Sequence, residues 1–234
     1  MSTTPLSPAI PAPSFLRQLD IFDPATFRFP CHVIGTGAMG SQIASLLVHL
    51  GVADLHLYDD DILQPHNVPT GAFDPQYVGQ RKVDALRAQF RIFPATTLTA
   101  HPLHVGAQER FRGVVFLCVH DMDERRLIWK HALRFQPSVP LLIETRIGAL
   151  EGRIYTVEPS NSLHVQCWEA ASAYPSGHDA EQPCTNRALV TTVAFVAALA
   201  VHQLILWHAQ KDPPHCLSVG LDGTPLVVAS RWTE

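Results

Sequence analysis

Apolar residues fall along the chain in two rhythms, short continuous runs and stretches with helical spacing, and the two alternate. "HVIGTG" reads as a buried strand entering a glycine turn. "AMGSQIASLLVHLG" reads as the helix after it, stopped by Gly51. "DLHLYD" is a second strand. In "GQRKVDALRAQFRIF", residues 79–93, Val83, Leu86, Phe90 and Phe93 recur at spacings of three and four and predict an amphipathic helix. "TLTAHPLHV" predicts a third strand. "GVVFLCVHD", residues 113–121, predicts a fourth that is apolar until a final polar pair, as parallel strands are at a site. "MDERRLIWKHALRF" is the next helix, and "PLLIETRIGALEGRIYTV" carries one or two more strands. "ALVTTVAFVAALAVHQLILW", residues 188–207, is apolar nearly all round, and "HCLSVGLDGTPLVVASRW" reads as a hairpin about "LDGTP". Such alternation predicts an α/β fold with a mainly parallel sheet flanked by helices.

Two stretches break the rhythm. Residues 1–13, rich in Pro, Ser and Thr, read as a disordered tail ahead of a single domain over 14–234. Residues 158–186 are polar, with little periodicity, and read as a long loop; so long a loop in a compact domain is functional or disordered. The run at 188–207 is long enough to span a bilayer, but His202, Gln203 and two threonines interrupt it, and no basic flank accompanies it. It is read as a buried helix, with no membrane partner. The chain has 234 residues, 47% of them hydrophobic, enough for one sizeable core. A net charge of -4 without any basic block argues against nucleic acid. The five cysteines are odd in number and form no C-x-x-C pair, which argues against a disulfide framework or a structural zinc. With no signal peptide visible, the expected compartment is the cytoplasm.

The chemistry gathers where the predicted strands end. In "GTGAMG", Gly35 allows a tight turn, Gly37 lets backbone approach a phosphate, and Gly40 lets helix pack on strand. Asp59, 19 residues after Gly40, suits a ribose hydroxyl. By these features alone a nicotinamide dinucleotide is the favoured ligand. Asn67, Lys82 and Asp121 have no part in that reading. Asn67 can donate to phosphate oxygens, Lys82 can neutralise a triphosphate, and Asp121 can hold Mg²⁺ through phosphate oxygens and water. Together they suggest ATP and Mg²⁺, with attack at the α-phosphate.

In combination these motifs resemble the ThiF-like adenylyltransferases, which include the activating enzymes of ubiquitin-like proteins and of sulfur carriers. "GTGAMGS" matches the glycine motif through Ser41. Asp59 and Asp61 match the acidic pair at the family spacing from Asn67. "GQRK" supplies Gly79 and Lys82, and "HDMDERR" supplies Asp121 and, five positions on, Arg126. "FLRQLDIF" resembles an N-terminal arm that delivers an arginine, here Arg17, into a partner subunit's site. The resemblance implies a Rossmann-like adenylation fold. It also implies ATP contacts from Gly35, Gly37, Gly40, Ser41, Asp59, Asp61, Asn67, Lys82 and Arg126, a metal-linked Asp121, and a homodimer. The chain departs from the family pattern after Asn67, where Thr70 and Gly71 replace an Arg and a Gln, and "HDMD" replaces Asp-Asn. Arg81, Arg125 or Arg17 would have to supply the missing cation. The paired zinc-binding C-x-x-C motifs of many sulfur-carrier activators are absent as well.

"EQPCTNR" resembles the cysteine site of activating enzymes that form a thioester. Cys184 there precedes a helix, which lowers a thiol pKa, and Arg187 adds to the effect. Cys167 is the second candidate, Cys216 is undecided, and Cys31 and Cys118 read as core. The resemblance therefore implies a minimal, bacterial-type activating enzyme. It would adenylate the C-terminal glycine of a ubiquitin-like protein, capture it on Cys184 and pass it to a conjugating enzyme. Three alternatives stay open: a sulfur-carrier adenylyltransferase without a thioester, an NAD-dependent oxidoreductase, and a non-catalytic dimer partner.

Overall fold

The computed structural model describes residues 13–173 and 189–233. Among these residues eight strands form one sheet, in the order β3-β2-β1-β4-β5-β6-β7-β8. The chain runs β1 (Cys31–Ile34), α1 (Ala38–Leu50), β2 (Asp54–Tyr58), α2 (Lys82–Phe90), β3 (Thr97–His101), β4 (Val114–Leu117) and α3 (Met122–Ile128). It continues through β5 (Leu141–Ile147), β6 (Glu151–Val157), α4 (Ser162–Ala173), α5 (Val190–His208), β7 (Cys216–Gly220) and β8 (Leu226–Ser230). The pairs among β3, β2, β1, β4 and β5 are parallel. From β5 to β8 the pairing is antiparallel.

The apolar runs are continuous because both sheet faces are covered. Val33, Phe116, Leu141 and Ile143 join Ile43 and Leu47 of α1, Leu86 of α2 and Val196 of α5 in one core. Their neighbours Ile34, Val115, Leu117 and Leu142 turn the other way, onto Ile128 of α3, Trp129 and Trp168 of α4. α1 ends as its sequence predicts: Gly51 takes φ 87°, a left-handed conformation that stops the helix. α5 is long and apolar enough to cross a membrane. Here one side of it packs on α1, β5 and β6. Its buried polar groups are paired, Thr192 donating to the Ala149 carbonyl and Gln203 accepting from Thr156.

The structure corrects three expectations. Residues 162–173, read as loop, form α4. Its buried positions, His164, Val165, Trp168 and Ser172, have helical spacing, but His and Ser hold places where apolar residues would have revealed it. The helix expected over 79–93 is shorter, because residues before Lys82 are bound into a bridge between Ile62 and Arg81. β4 stops at Leu117 rather than Asp121, since the chain leaves the sheet there and Asp121 caps α3. The expected tail over 1–13 lies, but for Pro13, outside the described residues, as does the stretch 174–186 of the expected loop.

Candidate nucleotide site

β1 lies between β2 and β4, so the chain crosses over in opposite directions from its two sides. In open α/β sheets that reversal leaves a crevice at the carboxyl ends of the strands, where ligands bind. The glycine turn sits there, and its three glycines differ in what surrounds them. Gly35 has φ 83°, and a Cβ on it would lie 2.9 Å from the Val119 nitrogen. A Cβ on Gly40 would lie 1.9 Å from the Gly35 oxygen, so helix and turn touch backbone to backbone. A Cβ on Gly37 would meet none of the described residues within 4 Å. Gly37 is the N-cap of α1 and supplies no side-chain cap, so among the described residues the helix N-terminus is uncovered, the arrangement that suits a phosphate.

Asp59 follows β2 and is anchored from two sides: Oδ2 accepts from the Thr36 N–H at 2.7 Å and Oδ1 from the Asp61 N–H at 2.9 Å. The loop after β2 then folds back on itself. Leu63 donates to the Gln80 carbonyl, Gly79 to that of Leu63, and Lys82 to that of Asp61. Gly79, at φ 93°, makes the return possible. This zip carries Lys82 against the acids. Its Nζ lies 2.6 Å from Asp61 Oδ2 and 3.8 Å from Asp59 Oδ1, with only 9% of the side chain exposed. A buried ammonium needs such partners. Asp60 stays in the acidic group, a carboxylate oxygen of each of the three aspartates lying within 4.8 Å of the others; its carbonyl accepts from Arg81 and its carboxylate lies 3.9 Å from His104.

Two expected ligands are engaged inside the protein. The Ser41 hydroxyl is buried, donates to the Ala38 carbonyl and accepts from the Ala72 N–H. It pins the loop that carries Gly71. The Asn67 Oδ1 accepts from the Gln64 N–H and closes a 3₁₀ turn (Pro65–Asn67).

Asp121 is the N-cap of α3. Its Oδ1 accepts from the amides of Asp123 and Glu124 at 2.8 and 2.9 Å. The Glu124 amide, then that of Asp123, hold its pKa below the usual carboxylate range, with smaller help from His120 and Arg125. Among the described residues Oδ2 has no hydrogen-bond partner. That free oxygen fits a Mg²⁺ ion bound mostly by phosphate and water.

The arginines fall elsewhere. Arg126 donates through Nε and Nη2 to the Ser172 carbonyl at the end of α4, and through Nη1 to Asp123. Arg125 is buried and pairs with Glu144 at 2.6 Å. Neither is free to replace the missing cation after Asn67. Arg17 is exposed, in a turn tied to the far end of α1: Gln18 donates to the Leu50 carbonyl, and Phe15 lies against Gly51. The 13 residues of α1 put roughly 20 Å between that end and the glycine turn. Cys31 is a core cysteine, as expected, whereas Cys118, just past β4, is partly buried against the core; desolvation raises both thiols, Cys118 to about 11. Cys184 and Arg187 lie outside the described residues.

The family model described as ThiF family matches residues 25–221. The chain belongs to the ThiF family. Its relatives among curated proteins include ubiquitin-like modifier-activating enzyme 5 of Xenopus laevis, 22% identical over 201 residues, covering 76% of this chain and 50% of that one. The same enzyme of Caenorhabditis elegans is 24% identical over 152 residues, 58% of this chain and 36% of that one. A shorter match, 39% over 75 residues, joins 32% of this chain to 13% of uncharacterized protein y4qC of Sinorhizobium fredii (strain NBRC 101917 / NGR234). The chain thus spans half or less of the length of these relatives. Among solved structures, E. coli MccB with AMPCPP and MccA superposes with a TM-score of 0.68 at 12% identity, over 88% of this chain and 64% of that one. PaaA gives a TM-score of 0.67 at 15% identity, over 86% of this chain and 64% of that one. The shared fold bears out the Rossmann-like architecture expected of the sequence.

Sequence reasoning missed Thr36, Glu144, Arg146 and Trp168. Only Glu144 left a signal, an acid inside the apolar run "LLIETR".

Proposed function

We propose that this chain binds ATP and adenylates the C-terminal carboxylate of a small ubiquitin-like or sulfur-carrier protein. The observation that carries the reading is Lys82, buried and held by Asp59 and Asp61 beside the open glycine turn. A dinucleotide held by its ribose and diphosphate needs no such cation. A triphosphate with a developing leaving group does. The ThiF family and the activating-enzyme relatives support the same class.

In this reading the α1 N-terminus and Gly37 hold the phosphates, and Asp59 accepts from the ribose. Lys82, already oriented by its two acids, stabilises charge on the phosphates. Magnesium, when bound, would be held at Asp121 and neutralise phosphate charge. A carboxylate oxygen of the partner attacks the α-phosphorus, the bond to the β-phosphate oxygen breaks, and pyrophosphate leaves. The position of Arg17 supports a homodimer, since it is too distant to serve the site of its own chain. The motif around Cys184 supports a second step. Its thiolate would attack the acyl carbon and expel AMP, leaving a thioester for a conjugating enzyme.

Calorimetry with ATP and with NAD, followed by isotope exchange between pyrophosphate and ATP, tests the first step. Mg²⁺-dependent ATP binding is expected; NAD binding without ATP binding would overturn the reading. For the second step, a thiol-cleavable adduct should form in wild type and be lost in Cys184→Ala, with exchange retained. Exchange without any adduct would favour the sulfur-carrier function.

A further inference from the structure

We infer that Glu144 is a positioning residue for Asp121, and that the charge cluster around it ties α3 and α4 to the nucleotide site. The inference rests on the nucleotide reading above. Glu144, in β5, is fully buried. Its Oε1 accepts from Arg125 Nη1 at 2.6 Å and Arg146 Nε at 2.7 Å, and its Oε2 accepts from Trp168 Nε1 at 2.6 Å and Arg146 Nη2 at 3.2 Å. The cluster joins β5, which carries both Glu144 and Arg146, to α3 through Arg125 and to α4 through Trp168. Arg125 lies one helical turn after Asp121, and its own N–H donates to the Asp121 carbonyl. One residue therefore joins Glu144 to the cap of α3 through a side-chain bond and a backbone bond. Arg146 continues from Glu144 to the Ser172 Oγ at 2.9 Å, and Arg126 meets the Ser172 carbonyl from α3. Trp168 stacks on Trp129 beneath them.

Stability alone is a poor account of this arrangement. Burying charges costs more than apolar packing of the same volume, and such clusters are often replaceable by apolar residues without loss. Among the described residues the Arg125 Nε is buried without a hydrogen-bond partner, a further cost. What the cluster does supply is direction. The charge-assisted bond from Arg125 Nη1 to the fixed Glu144 carboxylate sets the rotation of α3 about its axis. With that rotation goes the direction in which Asp121 Oδ2 points.

The test compares wild type with Glu144→Gln, which keeps an acceptor for Trp168 but removes the charge. Because Arg125 would then be buried with the Glu144 charge gone, the triple variant Arg125→Met/Glu144→Gln/Arg146→Met is measured beside it. Melting temperature confirms folding. Calorimetry gives ATP affinity with and without Mg²⁺, and exchange kinetics give kcat and KM. In the folded variants, ATP affinity without Mg²⁺ should persist, and the gain from Mg²⁺ should disappear. The exchange kcat should fall about 100-fold, the scale of a 1 Å misplacement, with KM little changed. A merely structural cluster would lower the melting temperature and leave kcat per folded molecule intact. That result, or an undiminished Mg²⁺ gain in a folded variant, would overturn the inference. Wild type that binds no ATP would overturn the nucleotide reading instead, and is seen before any variant is made.

Discussion

Asp121 holds α3 with one carboxylate oxygen and leaves the other open, so its two duties can be separated. Asn caps a helix about as well as Asp, whereas Ala costs about 1 kcal/mol. Asp121→Asn should therefore melt close to wild type and lose pyrophosphate exchange. Asp121→Ala should lose both stability and exchange. Calorimetric melting with the exchange assay checks the pair; a fully active Asp121→Asn protein would remove the carboxylate from the chemistry. His164 offers a second residue-scale prediction. Its Nδ1 accepts from the Glu158 amide, and burial, then neighbouring His215, lowers its pKa to about 4, against a small opposing pull from Asp212. The unfolded value is about 6.5, so between the two the unfolded chain binds more protons and stability rises with pH. The contribution is complete above about 6.5 and lost as pH falls toward 4. Denaturant midpoints should drop between pH 7 and pH 4.5, and less steeply in His164→Asn. At this scale the sequence reveals Asp59 and Lys82 because a motif spaces them. It could not tell Arg125 from Arg126: adjacent helical residues point about 100° apart, and spacing alone does not say which one faces the core.

The turn between β1 and α1 is an element whose glycines can be told apart by experiment. Gly40→Ala puts a Cβ against the Gly35 carbonyl, where only backbone could give way, and should cost about 3 kcal/mol. Gly37→Ala meets no atom of the described residues, so it should melt like wild type and bind ATP more weakly, its methyl standing where a phosphate would be. Thermal melting and calorimetry on both variants check the contrast; normal ATP affinity in Gly37→Ala would move the phosphates elsewhere. Strands were legible because both faces of the sheet are buried, which leaves unbroken apolar runs. α4 was not, because its inward side carries His164 and Ser172, whose partners lie on other elements. Loop closure after β2 was invisible for the same reason: it is made of backbone bonds between residues 61–63 and 79–82.

For the whole molecule, the far placement of Arg17 makes a prediction about subunits. If Arg17 serves a partner's site, Arg17→Ala and Asp121→Asn subunits, each inactive alone, should recover part of the exchange activity when mixed. No recovery in dimers shown to exchange subunits would remove Arg17 from the reaction. The packing of α1 on α5 has another consequence, for the order in which the protein can be made. α1 leaves the ribosome early, yet the helix that covers it begins about 140 residues later, at Val190. Until then the side of α1 that meets α5 has no cover, and the growing chain carries an apolar surface that its own late segment closes. Fragments ending before Val190 should be insoluble or held by chaperones. The same fragment supplied with a separate peptide of residues 189–208 should regain solubility.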